Sequence, residues 1–284
     1  MTVPERGLAS APASSGNLGP GFDVLGLALD LRCVVGARPA DRMTVDDGDG
    51  PVDLEPPDML FAAVMAAVDR PMALTVDNAI PRTRGLGSSS AVTAAAAAAA
   101  ARAGGREPLR EEIYELVAGI EGHGDNAAPA VYGGLMAVGS NGPHRLEIDP
   151  SIFPIVGIPD TRLATRRARE VVPSEVPVAA ASRNVGRAIL LVHALRTGDR
   201  SAFAAAAGDE FHEEARGPLS PITAAMIDAA RSAGALHAAW SGAGPTTLVF
   251  ATDETASAVI HALEVVLGAS GVVRSLSVDF EGLR

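Results

Sequence analysis

Apolar residues recur at helical spacing in parts of this chain and elsewhere fall into short runs parted by Gly, Pro and Asp. Leu109, Ile113, Leu116, Val117 and Ile120 share one face at about 100° per residue, which predicts a helix over 108–120 with Pro108 in its first turn. Glu115 and Gly119 fall on the opposite face, continued by Gly122 and His123. Further helices are predicted from Asp58 to Val68 and from Thr255 to Leu267, with several more in the span that ends near Ser232. Apolar runs predict strands at Val34–Val35, Met43–Val45, Ala73–Val76, Tyr132–Gly139, Ile155–Ile158, Thr247–Phe250 and Val272–Val278, and another leading into Trp240. Val24 to Leu31 suits a buried helix or strand, while residues 8–14 are small and polar and are assigned no element. Strands alternate with helices in both halves, as in an α/β or α+β protein. The Gly/Pro/Asn-containing stretch from Ser140 to Pro150 is the expected boundary between domains 1–150 and 151–284, and the length allows each a core.

The pattern breaks most sharply at Pro81-Arg82-Thr83-Arg84-Gly85-Leu86-Gly87-Ser88-Ser89-Ser90-Ala91, which leads into alanines up to Ala101. Gly85 and Gly87 permit close backbone approach, and the serines are expected to cap the alanine helix. A glycine turn at a helix N-terminus suits an anion, because free N–H groups and the helix dipole face it. A polyphosphate fits best. The chain has no lysine, which excludes the Walker A arrangement, and Arg82 and Arg84 are the cations of the loop instead.

The formal charge is −11, from 23 basic residues (all arginine) against 34 acidic ones. That acidity, with two Tyr and one Trp, argues against a nucleic-acid partner. A phosphate or carboxylate site must therefore gather arginines against the global field. Cys33 stands alone, so no internal disulfide or cysteine metal site forms, and a reducing cytoplasm is the expected setting. The opening Met1-Thr-Val-Pro-Glu-Arg lacks the layout of a signal peptide, and the alanine run is too short and weakly apolar for a bilayer, so no membrane partner is expected.

Four other stretches hold candidate chemistry. Ser14-Ser-Gly-Asn-Leu-Gly-Pro-Gly-Phe-Asp23 is a glycine-rich turn. Glu121-Gly-His-Gly-Asp-Asn126 gathers groups suited to metal binding, to catalysis or to a plain polar helix exit. Arg187 and Arg216 can bind a carboxylate in bidentate fashion, but taken singly each reads first as a surface salt-bridge partner. Ser241-Gly-Ala-Gly-Pro-Thr246 turns one strand into another.

In their order and content these stretches resemble the GHMP kinases, small-molecule kinases with a Pro-x-x-x-Gly-Leu-Gly-Ser-Ser phosphate loop, and among them the homoserine kinases. The first turn resembles Ser-x-Asn-Leu-Gly-x-Gly-Phe-Asp, with Gly16 where alanine is usual, and the second resembles Glu-Gly-His-Pro-Asp-Asn, with a looser Gly124 replacing proline. Thr165-Arg-Arg-Ala-Arg169 resembles Thr-x-x-Ala-Arg, Arg187 the arginine of Asn-x-x-Arg, and Arg216 the one before Pro-Leu. The resemblance implies a two-domain α+β fold: an N-terminal domain like ribosomal protein S5 domain 2 and a ferredoxin-like C-terminal domain. It implies transfer of the γ-phosphoryl of ATP to L-homoserine, with Pro81 through Ser90 on the nucleotide phosphates. Ser88 and Glu115 would hold Mg²⁺. Asn17, Asp23, His123, Asp125, Asn126, Thr165, Arg187 and Arg216 would form the acceptor pocket, with Asp23 near the reacting hydroxyl and the base left open. Catalytic roles thus fall on Asp23, Asn126, Ser88 and Glu115, and a homodimer is possible. The alternatives are another GHMP kinase, acting on shikimate, a mevalonate or a sugar, and a silent binding protein of the same fold.

Overall fold

The computed structural model describes residues 6–284; residues 1–5, on which most of the signal-peptide reading falls, lie outside it. The first half runs β1 (Gly7–Gly16), β2 (Leu25–Pro39), β3 (Thr44–Asp46), β4 (Val52–Asp53), α1 (Met59–Val68), β5 (Met72–Asn78), α2 (Ser88–Ala103), α3 (Arg110–Glu121), α4 (Ala127–Tyr132), β6 (Leu135–Gly139) and β7 (Gly142–Leu146). Its seven-stranded sheet has the order β4-β3-β5-β2-β6-β7, with β1 paired along β2.

β1 is the longest of the strands the pattern missed, beside β4 and β7, and its small residues have a physical cause. The alanine helix α2 lies so close that a Cβ on Gly7 would stand 1.8 Å from the carbonyl oxygen of Ala99. Large β-branched residues, the usual strand signal, would not fit between them, and Ala94 to Ala101 are all fully buried there. β2 unites most of the expected Val24–Leu31 element (from Leu25) with Val34–Val35, expected as separate elements, in one strand that pairs with β1, β5 and β6. Asp58, expected near the start of α1, is its N-cap, its Oδ1 accepting from the Leu60 amide at 2.7 Å. Leu109, expected on the apolar face of α3, is instead its exposed N-cap residue, and Pro108 falls outside the helix. β6 starts after Tyr132 because Gly133 and Gly134 both turn through positive φ. The expected boundary stretch contains β7, so the chain crosses between halves over 147–152.

The second half runs β8 (Phe153–Pro159), α5 (Thr165–Glu170), α6 (Val178–Thr197), α7 (Arg200–Ala205), α8 (Glu213–Arg216), α9 (Pro221–Ser232), β9 (His237–Trp240), β10 (Thr247–Ala251), α10 (Asp253–Leu267) and β11 (Gly271–Ser275). Its four-stranded antiparallel sheet has the order β11-β8-β10-β9, the 4-1-3-2 arrangement of a ferredoxin-like domain. Met226 and Ile227 of α9 and Val259 and Leu263 of α10 pack with Ile155, Trp240 and Val249 of that sheet. Beyond β11 the chain returns to the first sheet: Val278 bridges Leu29, Arg32 pairs with Asp279, and the Ser10 amide donates to the Arg284 carbonyl at 3.0 Å. Among the described residues no helix is long and apolar enough to cross a membrane.

Candidate active site

Three glycine turns meet at one cleft of about 320 Å³. The Gly242 amide donates to the Gly16 carbonyl at 2.9 Å, the Ser14 amide to Leu86 at 3.1 Å, and the Ser241 hydroxyl to Gly85 at 2.7 Å. A Cβ on Gly85 would lie 2.2 Å from the Ser241 carbonyl oxygen, so the loop approaches the second half as only glycine allows.

The loop enters α2 through Gly87, the N-cap residue, at φ 61. A Cβ there would lie 1.9 Å from Ser14 Oγ. The serines do not cap the helix as expected: Ser88, Ser89 and Ser90 form its first turn, no side chain caps it, and all three line the cleft. That leaves the orphan amides of the helix start without a side-chain acceptor, the arrangement that receives phosphate. Pro81, Thr83, Gly85, Leu86 and Gly87 line the same wall. Arg82 and Arg84 do not. Arg82 pairs with Asp47 at 3.0 Å, both on the wall of a second cavity beside the loop, and Arg84 donates to the Pro159 carbonyl at 2.5 Å, binding the loop to the second half. That second cavity, lined also by Val45, Leu54, Met59, Val76 and Val92, reaches Ser88 and Ser89.

Glu115, expected to hold metal with Ser88, is exposed on α3 and does not line the cleft. The carboxylate in that place is Glu121. The chain turns inward after it through Gly122 at φ 79, and Ser90 Oγ donates to Glu121 Oε2 at 2.5 Å. Burial raises the Glu121 pKa, with the Ser90 bond pulling the other way. Ser88 Oγ accepts from Asn78 Nδ2 at 3.0 Å. Sequence reasoning had the signal for Glu121, the first residue of its own Glu-Gly-His motif, and passed over it for the helix face.

On the opposite side Asn17, Leu18 and Gly19 make a left-handed run at φ 71, 55 and 83. Asn17 fixes it, accepting from the Asp23 amide at 3.0 Å and donating to the Gly242 carbonyl at 2.9 Å. Arg169 ends the Thr165–Arg169 segment whose resemblance implies a place in the pocket wall, and it clasps Asp23 with both terminal nitrogens, at 2.6 and 3.1 Å. Arg169 and Arg216 flank the Phe22 ring at 5.8 and 5.6 Å from its centroid. His123 Nδ1 meets Asp125 Oδ1 at 2.6 Å. Burial works to lower the His123 pKa, but the Asp125 bond and charge outweigh it, and the net shift is upward. Asp23, His123 and Asp125 bring oxygen and nitrogen atoms within 4.8 Å of one another. Asn126 Oδ1 accepts from Ser14 Oγ at 2.9 Å, and Thr165 opens α5 at the cleft. Gly16 has its own reason: a Cβ would stand 2.1 Å from Asp125 Oδ2. A Cβ on Gly124 would lie 2.6 Å from the Tyr114 hydroxyl, so this turn is held by packing where the resembling motif has a proline.

Arg216 is buried against the cleft. Its Nε donates to the Ala168 carbonyl at 3.1 Å and its Nη1 to the Gly242 carbonyl at 3.1 Å, while Nη2 bonds to no described residue. Burial and then Arg169 push the guanidinium down to about 10, which keeps it charged at neutral pH. Arg187 lies elsewhere: on α6, outside the cleft, bonded to Glu210 at 2.7 Å. Glu210 also takes Arg183 at 3.0 Å, so the partner of Arg187 is an ion-pair network.

Known proteins match along most of the chain. The profile for the GHMP kinases N terminal domain matches residues 59–134 and that for the GHMP kinases C terminal matches 191–266. The chain is 38% identical over 270 residues to a homoserine kinase of Thermus thermophilus, covering 92% of each, and 37% identical over 257 residues to one of Moorella thermoacetica, covering 86% of each. A crystal structure of homoserine kinase from Cytophaga hutchinsonii superposes with a TM-score of 0.89 at 25% identity, covering 100% of this chain and 98% of that one. The mevalonate kinase of Methanococcus jannaschii, at 14% identity and a TM-score of 0.72 over 96% and 98% of the two chains, shares the fold alone.

Proposed function

This chain belongs to the homoserine kinase family of the GHMP kinases, and from that premise we propose that it moves the γ-phosphoryl of ATP to the side-chain hydroxyl of L-homoserine, a step of threonine biosynthesis. One observation carries the reading: the uncapped start of α2 and the arginines Arg216 and Arg169 open onto the same cleft, with Asp23 held beside it by Arg169.

Phosphoryl transfer asks mainly for alignment and charge neutralisation. The amides of Ser88, Ser89 and Ser90 take the phosphates, and the apolar slot from Val45 to Val92 takes the nucleoside. Ser88 and Glu121 are hard oxygen donors on the phosphate wall and would hold Mg²⁺. Bound there, the ion supplies charge neutralisation for the phosphates. Arg216 takes the homoserine carboxylate through Nη2, its one uncommitted nitrogen. Asp23 and Asp125 face the ammonium. Asp23 is held by both nitrogens of Arg169, which suits it to orientation more than to proton removal, and a loose transition state asks little of a base. The division 1–150 and 151–284, a homodimer and a cytoplasmic setting belong to the same proposal.

The test is a panel of acceptors with ATP and Mg²⁺. Homoserine-dependent ADP release supports the reading; turnover only with mevalonate, shikimate or a sugar, or with no acceptor, overturns it.

A further inference from the structure

His212 belongs to none of the motifs above, yet it touches both parts of the acceptor side. Its ring is 1% exposed. Nε2 lies 3.0 Å from the carbonyl oxygen of Gly19, and Nδ1 lies 2.9 Å from Nη1 of Arg216. A carbonyl oxygen only accepts and a guanidinium only donates. Nε2 therefore carries the proton and Nδ1 presents its lone pair, so the two partners require a neutral ring in a single tautomer. Burial pushes the His212 pKa down to about 4, in keeping with that neutrality.

The ring is also fixed by packing. It stacks on Phe22 with centroids 5.1 Å apart. Its backbone is set by Asp209, whose Oδ2 accepts from the amides of Phe211 and Glu213 at 2.9 Å and of His212 at 2.5 Å. A second buried histidine, His237 of β9, meets the Leu18 carbonyl at 3.0 Å through Nε2. Consecutive carbonyls of the left-handed run are thus held from the second half by two imidazoles. Only His212 continues to Arg216.

We propose that His212 is a positioning residue for the acid group of homoserine: it ties the backbone of the Asn17–Asp23 turn to the Arg216 guanidinium, so that both reach the cleft in one fixed relation. This rests on the reading of Arg216 as the carboxylate-binding arginine. A side chain that merely filled space would need only the stack on Phe22. The acceptor for Arg216 and the donor for Gly19, on opposite nitrogens of one neutral ring, are what positioning requires.

Steady-state kinetics on the full chain decide it. His212→Phe keeps the ring and its stack and removes both polar contacts; the homoserine KM is expected to rise about tenfold while the ATP KM stays within about twofold. His212→Asn puts an amide oxygen near the Nδ1 position, restores the acceptor for Arg216, and is expected to recover most of that loss. Should His212→Phe fail to melt cooperatively, His212→Gln replaces it. Its amide reaches toward Gly19 but leaves Arg216 without its acceptor, and the homoserine KM is still expected to rise alone. An unchanged homoserine KM, or equal rises in both KM values, overturns the inference. Arg216→Ala measured alongside separates the two layers. A raised homoserine KM there with unchanged His212 variants sinks this inference alone, and an unchanged one sinks the reading of Arg216 and this inference with it.

Discussion

Ser90 Oγ donates to Glu121 Oε2 at 2.5 Å, joining the first turn of α2 to the last residue of α3 across the phosphate wall of the cleft. The contact separates two glutamates of one helix by where they point. Glu121 faces the cleft and Glu115, on the same helix, faces solvent.

Glu121→Gln is expected to raise the Mg²⁺ concentration for half-maximal rate by roughly 10- to 100-fold, the range seen when groups that hold or support a metal are removed. Glu115→Gln is expected to leave it within about twofold. Magnesium titrations of the two variants at saturating ATP and homoserine check both; a matching loss in Glu115→Gln would reverse the assignment.

Gly87→Ala tests the cradle. The residue sits at φ 61, and its Cβ would meet Ser14 Oγ at 1.9 Å. Backbone strain and that overlap together are expected to cost about 1–3 kcal/mol of stability. They also displace the helix amides, so the melting-temperature rise given by ATP with Mg²⁺ is expected to vanish. Scanning calorimetry with and without nucleotide reads both; an intact nucleotide shift would clear the cradle of the role.

What the sequence revealed and what it hid follow one physical line. The glycine turns were legible because positive φ and close approach leave few residue choices, and Gly16, Gly85 and Gly87 each prove to face an atom within 2.2 Å of a would-be Cβ. β1 was illegible because strand propensity reflects packing against ordinary neighbours, and its neighbour is a helix of alanines. Periodicity separated the polar face of α3 from its apolar face but could not say whether the cleft lay beside that face or beyond the helix end. Arg169 and Arg187 both stood in suggestive segments. Only the folded chain shows that one meets Asp23 at the cleft and the other meets Glu210 away from it. His212 had no local signal at all, since its meaning lies in Gly19 and Arg216 arriving at opposite sides of its ring.

The buried histidines set an acid limit on stability. Burial, opposed by the Leu18 carbonyl, pushes His237 down to about 4 from an ordinary 6.5. Between those values the unfolded chain binds the proton and the folded chain does not, so stability rises with pH across that window and is lost as pH falls from 6.5 toward 4. Glu213 opposes this. Burial raises it to about 7 from 4.5, so its contribution is full below 4.5 and is lost as pH rises through 7. His237→Gln removes one titration without touching the acceptor pocket directly. Its melting temperature is expected to fall less than that of the parent between pH 7 and pH 5; identical slopes would place the acid sensitivity in other groups.

The two arginines offered by the sequence now separate by partner, and the separation can be measured. Arg216 is 1% exposed, spends Nε and Nη1 on the Ala168 and Gly242 carbonyls and on His212, and leaves Nη2 for a ligand. Removing a buried cation that pairs with a substrate carboxylate costs roughly 2–5 kcal/mol, since the acid group is left desolvated and unpaired. Arg216→Ala is therefore expected to raise the homoserine KM by about 30-fold or more, with the ATP KM little changed. Arg187→Ala breaks only its bond to Glu210, which keeps Arg183. A partly exposed pair of that kind contributes about 0–1 kcal/mol, so both KM values are expected to stay within about twofold. The comparison is read by varying homoserine at fixed ATP and then ATP at fixed homoserine. A large homoserine effect in Arg187→Ala, or none in Arg216→Ala, would move the acid-group site away from the cleft drawn here.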